Sequence, residues 1–128
     1  MTSLVCFRSD RAEFGVPIEL VREVRSGDEL FTLPASGPGV AGFIECDGVA
    51  LAVLDSFGAE NRHVLVLDHG GRRFGLLVDL VTRVITTDGS LAPPPRGQQR
   101  DWIVGVASLD DQLLFVVDVE ALDDRLGS

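Results

Sequence analysis

The sequence predicts a mostly β fold in which one small barrel motif occurs twice. Three observations carry this reading. The apolar segments are short and separated by turn chemistry, helical periodicity is nearly absent, and two stretches of the first half recur in the same order in the second.

Strand-like apolar runs occupy residues 4–7, 49–54, 63–68, 74–78, 81–86, 102–107 and 113–117, and residues 29–33 alternate polar and apolar. Between them stand Asp10-Arg11, Gly27-Asp28, Asp47-Gly48, His69-Gly70-Gly71, Asp88-Gly89 and Asp110-Asp111. Glycine and aspartate tolerate the backbone conformations that tight hairpins demand, so these are turn positions. Many short strands at close spacing predict a barrel or sandwich. Helical signal is confined to a turn over residues 17–21 and a short helix over 119–126, with Asp118 placed to cap it. The run Pro93-Pro94-Pro95 cannot donate ladder hydrogen bonds and is a connector.

The repeat is the most informative feature. Phe14-Gly15-Val16-Pro17-Ile18-Glu19-Leu20-Val21-Arg22-Glu23-Val24 returns sixty residues later as Phe74-Gly75-Leu76-Leu77-Val78-Asp79-Leu80-Val81-Thr82-Arg83-Val84. Five of these eleven positions are identical. The stretch from Gly42 to Asp55 aligns without a gap with Gly105 to Asp118, at an offset of sixty-three, sharing Gly, Asp, Leu, Val and Asp. Two collinear matches predict two structural copies, residues 4–58 and 61–124, within a single domain over 1–128. Each copy runs hairpin, short helical turn, strand, loop and second hairpin, and ends on an aspartate. A chain of this length buries roughly two-thirds of its unfolded surface, whereas half of it is marginal, so the copies should share a core.

Composition narrows the function. With 45% hydrophobic and 24% charged residues the chain is ordinary globular protein. Eleven basic residues, all arginine, face twenty acidic ones for a net charge of −9, which excludes nucleic acid as a partner. No apolar run approaches the ~20 residues of a membrane helix, and Met1-Thr2-Ser3-Leu4 does not begin a signal peptide; no direct membrane insertion and a cytoplasmic location are expected. Cys6 and Cys46 sit in apolar runs and read as small buried hydrophobes with inert thiols. His63 and His69 have no third ligand within reach by sequence, so no metal is expected. No strained Gly-x-Ser-x-Gly elbow is present, and the chain reads as a non-enzyme without a cofactor. Gly15 and Gly75 read as points of close backbone approach, Asp55 and Asp118 as caps for nearby amides, and Trp102 as core next to the proline connector.

Taken in order, these segments resemble the CheW-like family of chemotaxis coupling proteins. The resemblance rests on Phe14 to Val24, Gly42 to Asp55, Gly71 to Val84, the prolines 93–95, and Trp102 to Leu122, and so covers nearly the whole chain. It implies two five-stranded SH3-like β-barrel subdomains, side by side with a shared core. It also implies adaptor function: coupling the cytoplasmic tip of a chemoreceptor to the regulatory domain of a CheA-type histidine kinase, with recruitment to membrane receptor arrays.

The first half departs from the family pattern. The family's Asn-Leu-Arg-Gly phrase stands here as Glu45-Cys46-Asp47-Gly48, its Pro-Val-Val-Asp phrase has Ala52 in place of proline, and the connector 56–62 is short. In relatives the arginine of that phrase lies near the glutamate matched by Glu23, so acid now faces acid unless Arg22 or Arg25 compensates. Matching positions near the receptor groove or kinase-facing loops make Val16, Ile18, Val21, Glu23, Asp47 and Gly48 the candidate protein-binding residues; the apolar ones read equally as core. Two alternatives accompany the coupling reading. One is a divergent scaffold in a different pathway, such as pilus-based motility. The other is a two-lobed module holding a small ligand, for which the sequence shows no convergent polar cluster.

Overall fold

The computed structural model describes residues 1–33, 39–55, 57, 63–109 and 111–127. Among these residues ten strands follow one another: β1 (Thr2–Ser9), β2 (Ala12–Pro17), β3 (Val21–Ser26), β4 (Val40–Cys46), β5 (Val49–Leu54), β6 (His63–His69), β7 (Arg72–Val78), β8 (Leu80–Thr87), β9 (Ile103–Leu109) and β10 (Gln112–Val117). The α-helix α1 (Val119–Gly127) follows β10. The hairpins turn where Asp and Gly predict them. Asp10, Asp47, Gly48, Gly70, Gly71 and Asp111 all have positive φ, the region that the right-handed twist of paired strands selects in two-residue loops. Asp118 caps α1, its Oδ1 accepting from the Ala121 amide at 3.3 Å.

Two five-stranded sheets result, ordered β8-β1-β2-β10-β9 and β3-β6-β7-β5-β4. Each sheet draws on both stretches 4–58 and 61–124. The first hairpin of one repeat pairs with the remaining three strands of the other, through parallel contacts of β2 with β10 and of β5 with β7. The repeats are copies in chain order, whereas the paired unit is an exchange between them. The two sheets match position by position. Gly15 stands opposite Val116, and Gly75 opposite Val53. The bridges Phe31–Phe43 and Ala92–Val106 occupy corresponding places. The Asp55 amide donates to the Gly39 carbonyl as the Asp118 amide donates to that of Trp102, both at 2.8 Å.

The exchange explains why β1, β6 and β10 read as unbroken apolar runs. Side chains alternate between faces along a strand, and here both faces are buried. Val5 and Phe7 of β1, Leu65 and Leu67 of β6, and Phe115 and Val117 of β10 enter one core shared by the sheets. Their neighbours Leu4, Cys6, Leu114 and Val116 fill the inside of the first sheet. Val64 and Val66 join Ile44, Leu51 and Val53 inside the second. Gly15 and Gly75 face these narrow interiors. A Cβ on Gly75 would lie 2.6 Å from Val64 Cγ1, and one on Gly15 would lie 3.3 Å from Leu4 Cδ1.

Residues 29–33 do not form the strand their alternation predicts. Ser26 opens a capping box, accepting from the Asp28 amide while Glu29 accepts from the Ser26 amide. That closes a 3₁₀ turn over Gly27–Glu29 and leaves only the bridge at Phe31. Local side-chain hydrogen bonding competes successfully with the ladder. The short helical turn expected at 17–21 is present as Ile18–Leu20. The connector 56–62 lies outside the described residues apart from Phe57, which is buried.

Candidate protein-binding face

β3 and β4 are the two edges of the second sheet, and a single arginine spans the seam between them. From β3, Arg25 donates from Nη1 to Glu23 Oε1 at 2.7 Å and to Cys46 Sγ at 3.1 Å, and from Nη2 to the Glu45 carbonyl at 3.2 Å. Its Nε donates to both oxygens of Glu29 at 3.0 and 3.1 Å. Hydrogen bonds from this guanidinium hold the Glu23 and Glu29 carboxyls below the usual carboxylate range, and the two acids raise the proton affinity of Arg25 in return. Burial pushes the Cys46 thiol up, so it is a packed thiol and not a thiolate.

The corresponding positions of the first sheet are apolar. Ile85 and Leu109, sixty and sixty-three residues after Arg25 and Cys46, pack against the inner cluster of that sheet. Hydrocarbon thus holds in the first sheet the positions that Arg25 and Cys46 hold in the second. The Asp47 replacement in the β4–β5 turn is accommodated. Arg25 takes Glu23, while Asp47 turns to Arg73 on β7, with Oδ2 3.2 Å from Nη1. Arg22 pairs instead with Asp68, at 3.7 Å.

The six sequence candidates divide. Val16 is fully buried. Strand alternation places it on the same face of β2 as Phe14, in the shared core, and this removes it from any contact surface. Val21 is half-buried and packs against that core. Ile18 is 42% exposed on the 3₁₀ turn that leads into β3. Glu23 lies on β3 and is tied through Arg25 to the β4–β5 hairpin, whose turn is Asp47-Gly48. The Asp47 side chain is 81% exposed, so Glu23, Asp47 and Gly48 share one solvent-facing rim of the second sheet.

Other residues fall where their chemistry points. Cys6 is wholly buried, and desolvation lifts its thiol to about 11. Trp102 packs on Phe57 and Phe14, with centroids 4.8 and 5.9 Å away. His69 bonds through Nδ1 to Asp123 of α1 at 2.9 Å, which raises its pKa. Among the described residues no group of His, Cys, Asp and Glu is placed to hold a metal, and no helix is long and apolar enough to cross a membrane. Sequence reasoning missed Glu29, whose role in the capping box is visible in the Ser26-x-x-Glu29 spacing. It also missed the exposed Val24 and Val84, a repeat-related pair on the edge strands β3 and β8.

Comparisons with known proteins agree with this architecture. The chain is 27% identical over 129 aligned positions to the chemotaxis protein CheW of Klebsiella aerogenes, an alignment covering 91% of this chain and 78% of that protein. The scaffolding protein TtCheW of Thermoanaerobacter tengcongensis superposes with a TM-score of 0.78 at 26% identity, covering 91% of this chain and 83% of that one. The CheW-like domain profile matches residues 3–126, and the chain belongs to the CheW-like domain family.

Proposed function

We propose that this protein is a non-enzymatic cytoplasmic adaptor that couples the cytoplasmic tip of a chemoreceptor to the regulatory domain of a CheA-type histidine kinase. The observation that carries the reading is the family match across nearly the whole chain, on a frame of two five-stranded sheets. A CheW relative and a CheW scaffold of the same architecture support it. The mechanism is geometric. One face takes the kinase, another takes the receptor, and joining both on one rigid body raises their effective concentration. The rim of Glu23, Asp47 and Gly48, with Ile18 and Val21 at the approach to edge strand β3, is the proposed contact region. Sheet edges with partly exposed apolar residues readily accept a partner strand or loop.

A titration against the regulatory domain of the CheA-type kinase from the same organism tests this. Saturable binding with a dissociation constant on the order of tens of micromolar or tighter is expected. No binding in that range sinks the reading.

The Asp47–Arg73 pair favours a second reading, a CheW-like scaffold serving a different output such as pilus-based motility. An acid stands where the family carries arginine, so the rim presents the opposite charge to a partner. Exchange of Asp47 for arginine, assayed against the receptor tip, separates the two: affinity rises for a standard coupler and falls for a scaffold matched to a basic partner.

A further inference from the structure

An open cleft of about 900 Å³ lies where the shared core reaches the surface, beside the β1–β2 turn. Its floor is aromatic: Phe14, Phe57, Trp102 and Phe115 keep 6–8% exposure, while their core neighbours Phe7 and Phe74 keep none. Phe57 packs edge-to-face on both Phe14, at 4.9 Å and 67°, and Trp102, at 4.8 Å and 70°, and the small exposed part of each ring is what the cleft offers to a guest.

Among the described residues the walls carry more positive than negative charge. Arg8, Arg11 and Arg100 line the cleft against the carboxylates Asp10 and Glu13. Burial works against the Glu13 carboxylate, yet hydrogen bonds from Arg83 and Thr82 outweigh it and hold the group ionised, so its charge is already matched from β8. An excess of positive charge remains in a chain whose net charge is −9. The wall also holds Ser9, 1% exposed, whose hydroxyl has no hydrogen-bond partner among the described residues. A buried hydroxyl left unpaired costs on the order of the desolvation it suffered, and such groups need a partner.

From the aromatic floor, the arginine rim and this unmet donor together, we propose that the cleft is a binding site for a small aromatic carboxylate. The ring lies on Trp102 and Phe57, and the carboxylate accepts charge-assisted hydrogen bonds from Arg8 and Arg11. This goes beyond the adaptor reading and gives the scaffold a small-molecule input at the junction of its two sheets.

Calorimetric titration of the whole chain with 2-naphthoate, and with the neutral 2-naphthamide as its isosteric control, tests the proposal. One saturable site is expected for naphthoate, with a dissociation constant of about 1 mM or tighter for a body of this size. Naphthamide should bind roughly tenfold more weakly, as should naphthoate to an Arg8→Gln, Arg11→Gln double variant. Absence of saturable heat, equal affinity for the two compounds, or unchanged naphthoate affinity in a folded double variant overturns it. Should the double variant fail to fold, the comparison of acid with amide on the native chain decides alone.

Discussion

Gly75 stands opposite Val53 in the parallel pairing of β7 with β5, and a Cβ there would reach within 3.1 Å of Val53 Cγ2 as well as 2.6 Å of Val64 Cγ1. Both valines are stiff at χ1 and wholly buried, so neither can swing aside. Gly75→Ala should therefore cost about 1–3 kcal/mol by overpacking. Gly15→Ala meets the ends of Leu4 and Leu114 at 3.3 Å, which yield more easily, and should cost less. Urea unfolding of the two variants reads the order; an equal or reversed order contradicts the account of the two interiors.

The charged seam should respond to acid. The Glu23 and Glu29 carboxyls titrate below their ordinary 4.5 because of Arg25. Their contribution is then present above that value and is lost as pH falls through the lowered folded-state pKa values. Arg25→Gln should melt below the native chain at pH 7, and the gap should narrow in acid. Melting curves at pH 7 and pH 3.5 check it, and a gap independent of pH speaks against the seam.

The turn at Asp47 should tolerate asparagine and resist arginine. Asp47 has φ 52°, a region asparagine shares and arginine disfavours by about 1 kcal/mol. Arginine also sets a second guanidinium beside Arg73. Asp47→Asn should hold stability within about 0.5 kcal/mol, and Asp47→Arg should lower it further. Chemical denaturation of both variants tests the ranking, which fails if arginine proves the milder change.

His69 ties the β6–β7 turn to α1 through Asp123, with Glu120 and Asp124 adding negative potential and Arg72 Nε 3.3 Å from the other Asp123 oxygen. The hydrogen bond to Asp123 raises the His69 pKa above its ordinary 6.5. The stabilisation is then complete below 6.5 and fades as pH rises through the raised value. Asp123→Asn should lower the melting temperature more at pH 6 than at pH 9. Equal effects at both pH values would show that the imidazolium contributes nothing.

Much of this fold was legible because the repeat is carried by residues with backbone consequences. Phe14-Gly15 and Phe74-Gly75 mark strands that one glycine lets approach closely, and Asp10, Asp47 and Gly70-Gly71 mark the turns. Trp102 and the prolines after Ala92 were likewise readable from side-chain chemistry. The exchange of hairpins was not, because periodicity reports which faces are buried and not which strand lies alongside. For the same reason Val16 looked as suitable for a surface as Ile18: both are aliphatic, and only the pairing of β2 between β1 and β10 sends Val16 inward. Of the proposed binding rim, Arg25 was readable as one of two possible partners for Glu23. Its reach across the β3–β4 seam depends on sheet curvature, which no local pattern encodes.

The most direct test of the adaptor reading is retention of the kinase regulatory domain on beads that carry the receptor tip, as this chain is added. Retention should be low without the chain, rise as it is titrated in, and fall again in excess, when separate copies occupy the two partners. If the kinase domain instead releases the chain from the receptor beads, the two partners compete for one face and the protein does not couple them.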